Sequence, residues 1–221
     1  MRTIGLIGGT GDLGSALAIH LAKKYDAVII GSRNKSKAES TVLQIIEQKK
    51  GRTGLDSKLI AASNEDTINK SDNLILTVPY GSALATVKDL SRNFKDNQLL
   101  ISAVASIAKK GKEFVSLVEA HSVSRYIQET LPRVRVASAF QTVPAGILFR
   151  ERTIEADVFV SCDSEGTFSE VAEIVSSIDG LRPLYAGTLE TSWQVEGLTA
   201  LLLNLSIYNK LKNPTFKIHS F

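Results

Sequence analysis

The chain has 221 residues, of which 43% are hydrophobic and 22% charged, and a formal net charge of +3. This is enough for one large domain or a domain with a small appendage, and it is too weakly basic, without a dense Lys/Arg tract interleaved with aromatics, to be a nucleic-acid binder. One cysteine, Cys162, excludes an intrachain disulfide framework, and no apolar stretch is long enough to span a membrane.

Met1-Arg2-Thr3 runs straight into an apolar strand with no signal peptide before it, so the expected setting is the reducing cytoplasm. That strand opens Ile4-Gly5-Leu6-Ile7-Gly8-Gly9-Thr10-Gly11-Asp12-Leu13-Gly14. Gly9-x-Gly11-x-x-Gly14 between a strand and a helix is the dinucleotide-binding fingerprint in its proper context. Gly9 is expected to permit the turn. Gly11 lets the backbone approach a pyrophosphate, and Gly14 lets the helix pack close to the strand. The free N–H groups and positive end of the helix then face the phosphates. The helix itself is expected over Asp12 to Lys24, with Leu13, Leu17 and Leu21 at four-residue spacing.

The second strand, Ala27-Val28-Ile29-Ile30, ends in Gly31-Ser32-Arg33, with Lys35 and Lys37 beyond it. An NAD site places a carboxylate near this strand end for the ribose hydroxyls. Here the first carboxylate is Glu39. A guanidinium grips a 2′-phosphate through paired charge-assisted bonds, and a carboxylate would repel it. The reading is therefore NADP(H), with Ser32 and Arg33 as its ligands. Either lysine taken alone fits a solvated helix face equally well.

Further along, a helix is expected over Lys35 to Lys49 and a turn at Gly51 to Gly54. A short strand follows at Leu59 to Ala62, then a helical turn from Glu65 to Asn69. Asn73 to Val78 reads as a buried strand stopped by Pro79, Ser82 to Phe94 as an amphipathic helix, and Leu99 to Val104 as a strand. Lys109 to Lys112 reads as a solvated loop. A helix over Ser122 to Leu131 and a strand over Val134 to Ala139 come next. Ala156 to Ser161 is a strand, Phe168 to Ile178 a helix, and Thr191 to Lys212 a last long segment. Its centre, Gly197 to Leu205, is apolar nearly all round and so is expected to be buried in the fold or in a subunit interface. The alternation predicts an α/β fold, a Rossmann-type doubly wound parallel sheet with a small C-terminal helical part. A soft boundary divides residues 1–150, a nucleotide-binding domain, from residues 151–221.

Ligand in such a sheet lies beyond the carboxyl ends of the strands. Thr77-Val78-Pro79, Ala103-Val104-Ala105 and Gln141-Thr142-Val143-Pro144 fall there. These small or apolar groups could pack a nicotinamide ring and exclude water. They supply no general acid or base, so no catalytic side chain is assigned. His20, His121 and His219 have no metal-ligand spacing. Tyr208-x-x-x-Lys212 matches a dehydrogenase Tyr/Lys pair but falls too late in the chain. Such a site suits hydride transfer between two carriers, where the chemistry belongs to the cofactors.

Gly8 to Gly14, Gly31-Ser32-Arg33 with Lys37, Leu76-Thr77-Val78-Pro79, Thr142-Val143-Pro144-Ala145 and Asp179-Gly180-Leu181-Arg182-Pro183-Leu184 occur in this order. With them the chain resembles, over nearly its whole length, the mostly archaeal NADP-dependent oxidoreductases of the deazaflavin coenzyme F420. The resemblance implies reversible hydride transfer between NADP(H) and coenzyme F420, a homodimer, and a small C-terminal part that helps close the deazaflavin cleft. By motif position it implies that Thr10, Gly11, Asp12, Leu13, Ser32, Arg33 and Lys37 hold NADP. Val78, Val104 and Ala145 would flank the nicotinamide, and Gln141, Val143 and Leu203 would lie near the deazaflavin. The family pattern carries His where this chain has Gln141, which donates a hydrogen bond but cannot titrate near neutrality. Arg182 fits either an Arg-Pro turn or an anion site. Two alternatives stay open from sequence: reduction of another acceptor, such as a flavin or an imine, and a binding protein that senses NADPH without turnover.

Overall fold

Alternating apolar runs and amphipathic segments become alternating strands and helices. The computed structural model describes residues 2–49, 54–117, 122–150 and 154–220. The first half runs β1 (Thr3–Ile7), α1 (Asp12–Leu21), β2 (Ala27–Ser32), α2 (Lys35–Gln48), the one-turn α3 (Leu55–Lys58), β3 (Leu59–Ser63), α4 (Asn64–Lys70), β4 (Asn73–Leu76), α5 (Tyr80–Asp89) and β5 (Leu99–Ser102). The second half runs β6 (Ile107–Lys110), β7 (Glu113–Ser116), α6 (Val123–Thr130), β8 (Arg135–Ser138), α7 (Ala145–Phe149), β9 (Ala156–Cys162), α8 (Glu165–Ser176), β10 (Leu181–Tyr185) and α9 (Trp193–Asn209). The turn expected at Gly51 to Gly54 falls mostly outside the described residues.

Eight strands form one sheet in the order β10-β9-β8-β5-β4-β1-β2-β3. Chain direction across the sheet reverses between β1 and β4, the switch point at which such sheets bind nucleotides. From β3 to β8 the neighbours are parallel. Strand β9 departs from the expected parallel pattern and runs antiparallel to β8. The connection from β8 carries only the five-residue α7 as helix, and β9 enters the sheet from its carboxyl edge. The longer α8 then restores parallel pairing of β10 with β9. Pairing of β8 with β9 is confined to Ala137 with Cys162 and Ser138 with Ser161. The first residues of β9 therefore project past the end of β8, toward the carboxyl edge of the main sheet.

Side-chain alternation divides the core between the two faces. Leu6, Leu17, Ile30, Ile101, Val160 and Ile174 fill one layer. Ile7, Leu76, Val87, Leu100 and Ile127 fill the other. Side-chain caps start four of the helices, α2, α4, α6 and α8: Asn34 accepts from Ser36, Ser63 from Asp66, Ser122 from Arg125 and Ser164 from Thr167.

One expectation is corrected, and a second narrows to one of its two alternatives. Lys109 to Lys112 is not a loop. It is the tip of an antiparallel hairpin in which Lys110 pairs with Glu113 and Gly111 takes φ +64° in the two-residue turn. The lysines cover the tip, while Phe114 behind them is tied to α9 by Asn204, which donates to its carbonyl at 2.8 Å and accepts from its N–H at 2.7 Å. Helix α9 is not buried all round within one chain: Leu201 is 48% and Ile207 43% exposed. No helix among the described residues is long and apolar enough to cross a membrane.

Candidate functional site

The site is built at the carboxyl ends of β1, β2, β4, β5 and β8. After β1 the backbone turns at Gly8, which has φ +69°. The left-handed residue of the turn is thus Gly8, and not Gly9 as the glycine spacing predicts. Its N–H donates to the Oδ1 of Asn64 at 3.1 Å, so the first residue of α4 fixes the loop. Gly9 donates to the carbonyls of Leu6 and Gly31, locking β1 to β2. A Cβ on Gly14 would lie 2.6 Å from the Cα of Gly9, so only glycine allows α1 to approach this closely. A Cβ on Gly11 would meet nothing within 4 Å. Gly11 is the N-cap of α1, and no side chain caps that turn. The first N–H groups of α1 therefore face an open cradle of the kind a pyrophosphate fills.

A cleft of about 520 Å³ starts at this cradle and extends toward β2 and β4. Gly8, Thr10, Gly11 and Asp12 line one side, Ser32, Arg33 and Lys37 a second, and Asn64, Val78, Pro79, Ser82 and Thr86 the third. The structure thus brings together several residues picked from sequence. Ser32 is buried, and its Oγ accepts from the N–H of Asn34 at 3.2 Å. Arg33 and Lys37 are exposed, and no carboxylate among the described residues lies within ion-pair distance of either. Lys35 is spent on Glu39 at 4.0 Å. Two cations with no ion-pair partner among the described residues, beside an uncapped helix start, give an anion-seeking cleft. Leu13 is half-buried in the first turn of α1.

A second cleft, of about 470 Å³, lies on the other side of Thr10 and Asp12, between α1, α2 and α7. Ala145 lines it together with Gly146, Phe149 and Arg150. Val104, which follows β5, is buried in the layer under α5 and α6, with Val78 packed on that layer. Val143 is buried in the opposite layer.

Gln141 sits just past β8, after Phe140, a buried non-glycine residue at φ +74°. Such a conformation costs of order 1 kcal/mol or more and persists only where the surroundings over-determine it. Here they do. The Nε2 of Gln141 donates to the Ser138 Oγ at 2.7 Å and to the Ser102 carbonyl at 3.0 Å. Its own carbonyl accepts from the Thr199 Oγ1 of α9 at 2.9 Å. Ser102, Ser138 and Ser161 are cross-strand neighbours in register, so they form a buried hydroxyl row on one sheet face. The Oε1 of Gln141 and the hydroxyls of Ser102 and Ser161 have no hydrogen-bond partner among the described residues. Leu203 is half-buried on α9, one turn beyond Thr199.

Sequence reading missed several of these residues. Asn64 could have been suspected as a helix-start asparagine. The serine row is invisible until the register is known. Glu196, fully buried at the start of α9, accepts from the N–H groups of Val123 and Ser124 at 3.0 and 3.3 Å and from the Ser124 Oγ at 3.2 Å. Burial pushes its carboxyl up to about 7 against these three hydrogen bonds. Arg182 lies in the edge strand β10 and is paired with Asp157.

The strand order, switch point and glycine loop place the chain among Rossmann-type dinucleotide-binding folds. Residues 3–106 match the model of a family described as NADP oxidoreductase coenzyme F420-dependent. The F420-dependent NADP reductase of Methanocaldococcus jannaschii is 34% identical over 97% of both chains. That of Methanothermobacter thermautotrophicus is 32% identical over 97% of this chain and 94% of its own. The chain belongs to the F420-dependent NADP reductase family. In fold it superposes on a candidate F420-dependent NADP reductase of an Arthrobacter species with a TM-score of 0.79 and 20% identity, each chain covered in full. A reductive aminase of Aspergillus terreus shares the fold with a TM-score of 0.60 at 15% identity, over 95% of this chain and 62% of its own.

Proposed function

We propose that this chain is an oxidoreductase that moves a hydride reversibly between NADP(H) and the deazaflavin coenzyme F420. The observation that carries the reading is the kinship to archaeal F420-dependent NADP reductases along 97% of both chains. The basic cleft beside an uncapped helix start supports the NADP half. In this reading Gly9, Gly11 and Gly14 shape the cradle, and Thr10 to Leu13 bind the pyrophosphate. Ser32, Arg33 and Lys37 hold the 2′-phosphate through charge-assisted bonds. Val78, Val104 and Ala145 flank the nicotinamide, and Gln141, Val143 and Leu203 border the deazaflavin.

When bound, NADPH supplies the hydride, and one proton completes reduction of the deazaflavin. The residues of the chain bind, orient and exclude water. Clamping both carriers converts a bimolecular encounter into a positioned one. Gln141, fixed by Ser138 and Ser102, offers a polar edge whose orientation does not depend on pH near neutrality. Residues 1–150 carry the NADP side in this reading, and residues 151–221 complete the acceptor side. We further read the protein as a cytoplasmic homodimer. The partly exposed apolar residues of α9 suit a subunit interface, and a buried unpaired Cys162 suits a reducing compartment.

The test is turnover. Purified protein is mixed with NADPH and coenzyme F420, and NADPH oxidation is followed together with deazaflavin reduction, free flavin serving as the control acceptor. Stoichiometric reduction of the deazaflavin is expected. NADPH binding without it would overturn the acceptor assignment.

A further inference from the structure

We propose that Arg182 and Asp157 form a clasp that fixes the last residues of the chain over the loop after β8, and so position that loop for the hydride acceptor. The inference rests on the acceptor reading given above and assigns a role to residues outside the glycine loop and cleft.

Asp157 is fully buried near the start of β9, in the part that projects past β8. Its carboxylate takes two bonds from the guanidinium of Arg182, Nε to Oδ1 and Nη2 to Oδ2, each 2.7 Å. Arg182 stands opposite it in register on β10. Pro183, which follows, forfeits a backbone donor at no cost to the sheet because β10 is an edge strand. The same two side chains seize the C-terminal tail. The N–H of Ile218 donates to the Asp157 Oδ2, and its carbonyl accepts from the Arg182 Nη2 at 2.7 Å. The N–H of Asp157 donates to the carbonyl of Phe216 at 2.9 Å. Phe216 therefore occupies the flank of β9 that the short β8 leaves open, and its ring packs on Phe159 with centroids 6.0 Å apart.

Between α9 and the clasp the tail reverses direction, with Lys210 and Asn213 both left-handed, at φ +54° and +56°. It then crosses the loop that follows β8. Thr215 Oγ1 donates to the carbonyl of Thr142 at 3.4 Å. The Oδ1 of Asn213 stands where a Cβ on Gly146 would be 3.3 Å away. Thr199 holds the carbonyl of Gln141 from the α9 side. The loop from Gln141 to Gly146 is thus gripped from two directions by C-terminal elements. A buried carboxylate with a bidentate guanidinium is a rigid anchor, because loss of either partner strands the other. The Nε and Nη2 of Arg182 are engaged by Asp157 and Ile218, which ties the guanidinium to the clasp. It is a positioning residue.

Three variants test the clasp: Arg182→Lys, which keeps the charge and loses the fork; Thr215→Val, which leaves the clasp and cuts the loop contact; and truncation after Lys212. Each is assayed for the KM of coenzyme F420 and of NADPH, for NADPH affinity by fluorescence, and for hydrogen exchange of residues 139–146. The expected result for Arg182→Lys and the truncation is faster exchange in that loop. It comes with a KM for the deazaflavin raised about tenfold and NADPH affinity changed less than about twofold, a loss of acceptor binding alone. Thr215→Val gives the same pattern more weakly, and it carries the test if the other two fail to fold. Unchanged loop exchange and unchanged KM for the deazaflavin in folded variants would overturn the clasp and leave the tail as an edge plug. If the wild-type protein turns over no deazaflavin, the acceptor reading fails instead. The exchange measurement then decides the clasp by itself.

Discussion

The carboxylate of Glu196 accepts a hydrogen bond from the backbone N–H of Val123 at 3.0 Å, joining the start of α9 to the start of α6 inside the protein. An ionised carboxylate at a helix N-terminus is ordinarily favourable. Here complete burial outweighs the three donors and raises the group from 4.5 to about 7.

The consequence is a stability slope. The folded state holds a proton on Glu196 that the unfolded chain releases at about 4.5. The contribution is therefore fully present below about pH 4.5 and is lost as pH rises through about 7, amounting to about 3 kcal/mol across that window. Glu196→Gln removes the titration and keeps one acceptor for Val123. Chemical denaturation between pH 5 and 8 should show stability declining in the wild type and a flatter profile in the variant. Parallel profiles would refute the assignment.

Two glycines of the first loop should separate folding from binding. A side chain at Gly14 collides with the backbone of Gly9, 2.6 Å away, so Gly14→Ala should cost about 2 kcal/mol or more through overpacking. Gly11 has room for a Cβ and an extended backbone, φ −85° and ψ 176°. Gly11→Ala should cost the fold no more than about 1 kcal/mol, the usual penalty at an N-cap. It should nevertheless weaken NADPH binding strongly, because the methyl group enters the pyrophosphate path. Thermal melts with and without NADPH read both effects, and normal NADPH affinity in a folded Gly11→Ala would refute the cradle.

Arg33 should discriminate between the two nicotinamide dinucleotides. Its guanidinium is exposed beside the buried Ser32, with Lys37 on the same cleft. Arg33→Ala should weaken NADPH binding on the order of 10- to 100-fold, the range for a lost hydrogen-bonded charge pair, and leave NADH binding nearly unchanged. Titration with both nucleotides measures the split. Equal losses would place Arg33 elsewhere than on the 2′-phosphate.

Much of the fold was legible because β1, β2, β4 and β5 are buried apolar runs bounded by turn residues, as in Asn73 to Pro79. The run Ser32-Arg33 with Lys37 was legible for a different reason: charge at a strand end has a direct chemical reading. The hairpin tip at Lys109 to Lys112 was not, since its lysines carry a solvated-loop composition while Asn204 of distant α9 pins the strand behind it. Neither was the reversal of β9, because a buried apolar run reads the same in a parallel and an antiparallel strand. Ser102, Ser138 and Ser161 look like ordinary strand-end residues until register aligns them. Glu196 reads as a polar residue of a helix, and only packing around it makes it a buried acid.

Gln141 is bonded to that serine row and, in the proposed function, borders the acceptor; its substitution tests both roles. Its Nε2 satisfies the Ser138 hydroxyl and the Ser102 carbonyl, so Gln141→Leu would leave buried polar groups unpaired at a cost of about 1–3 kcal/mol. Gln141→His can replace a donor and adds a group that titrates near 6.5. In the wild type, deazaflavin turnover should show no limb attributable to residue 141 between pH 5.5 and 8. Gln141→His should introduce one in that range while NADPH affinity stays constant. If the variant's rate profile superimposes on that of the wild type, residue 141 does not face the reacting rings, and the acceptor lies on the other side of the loop.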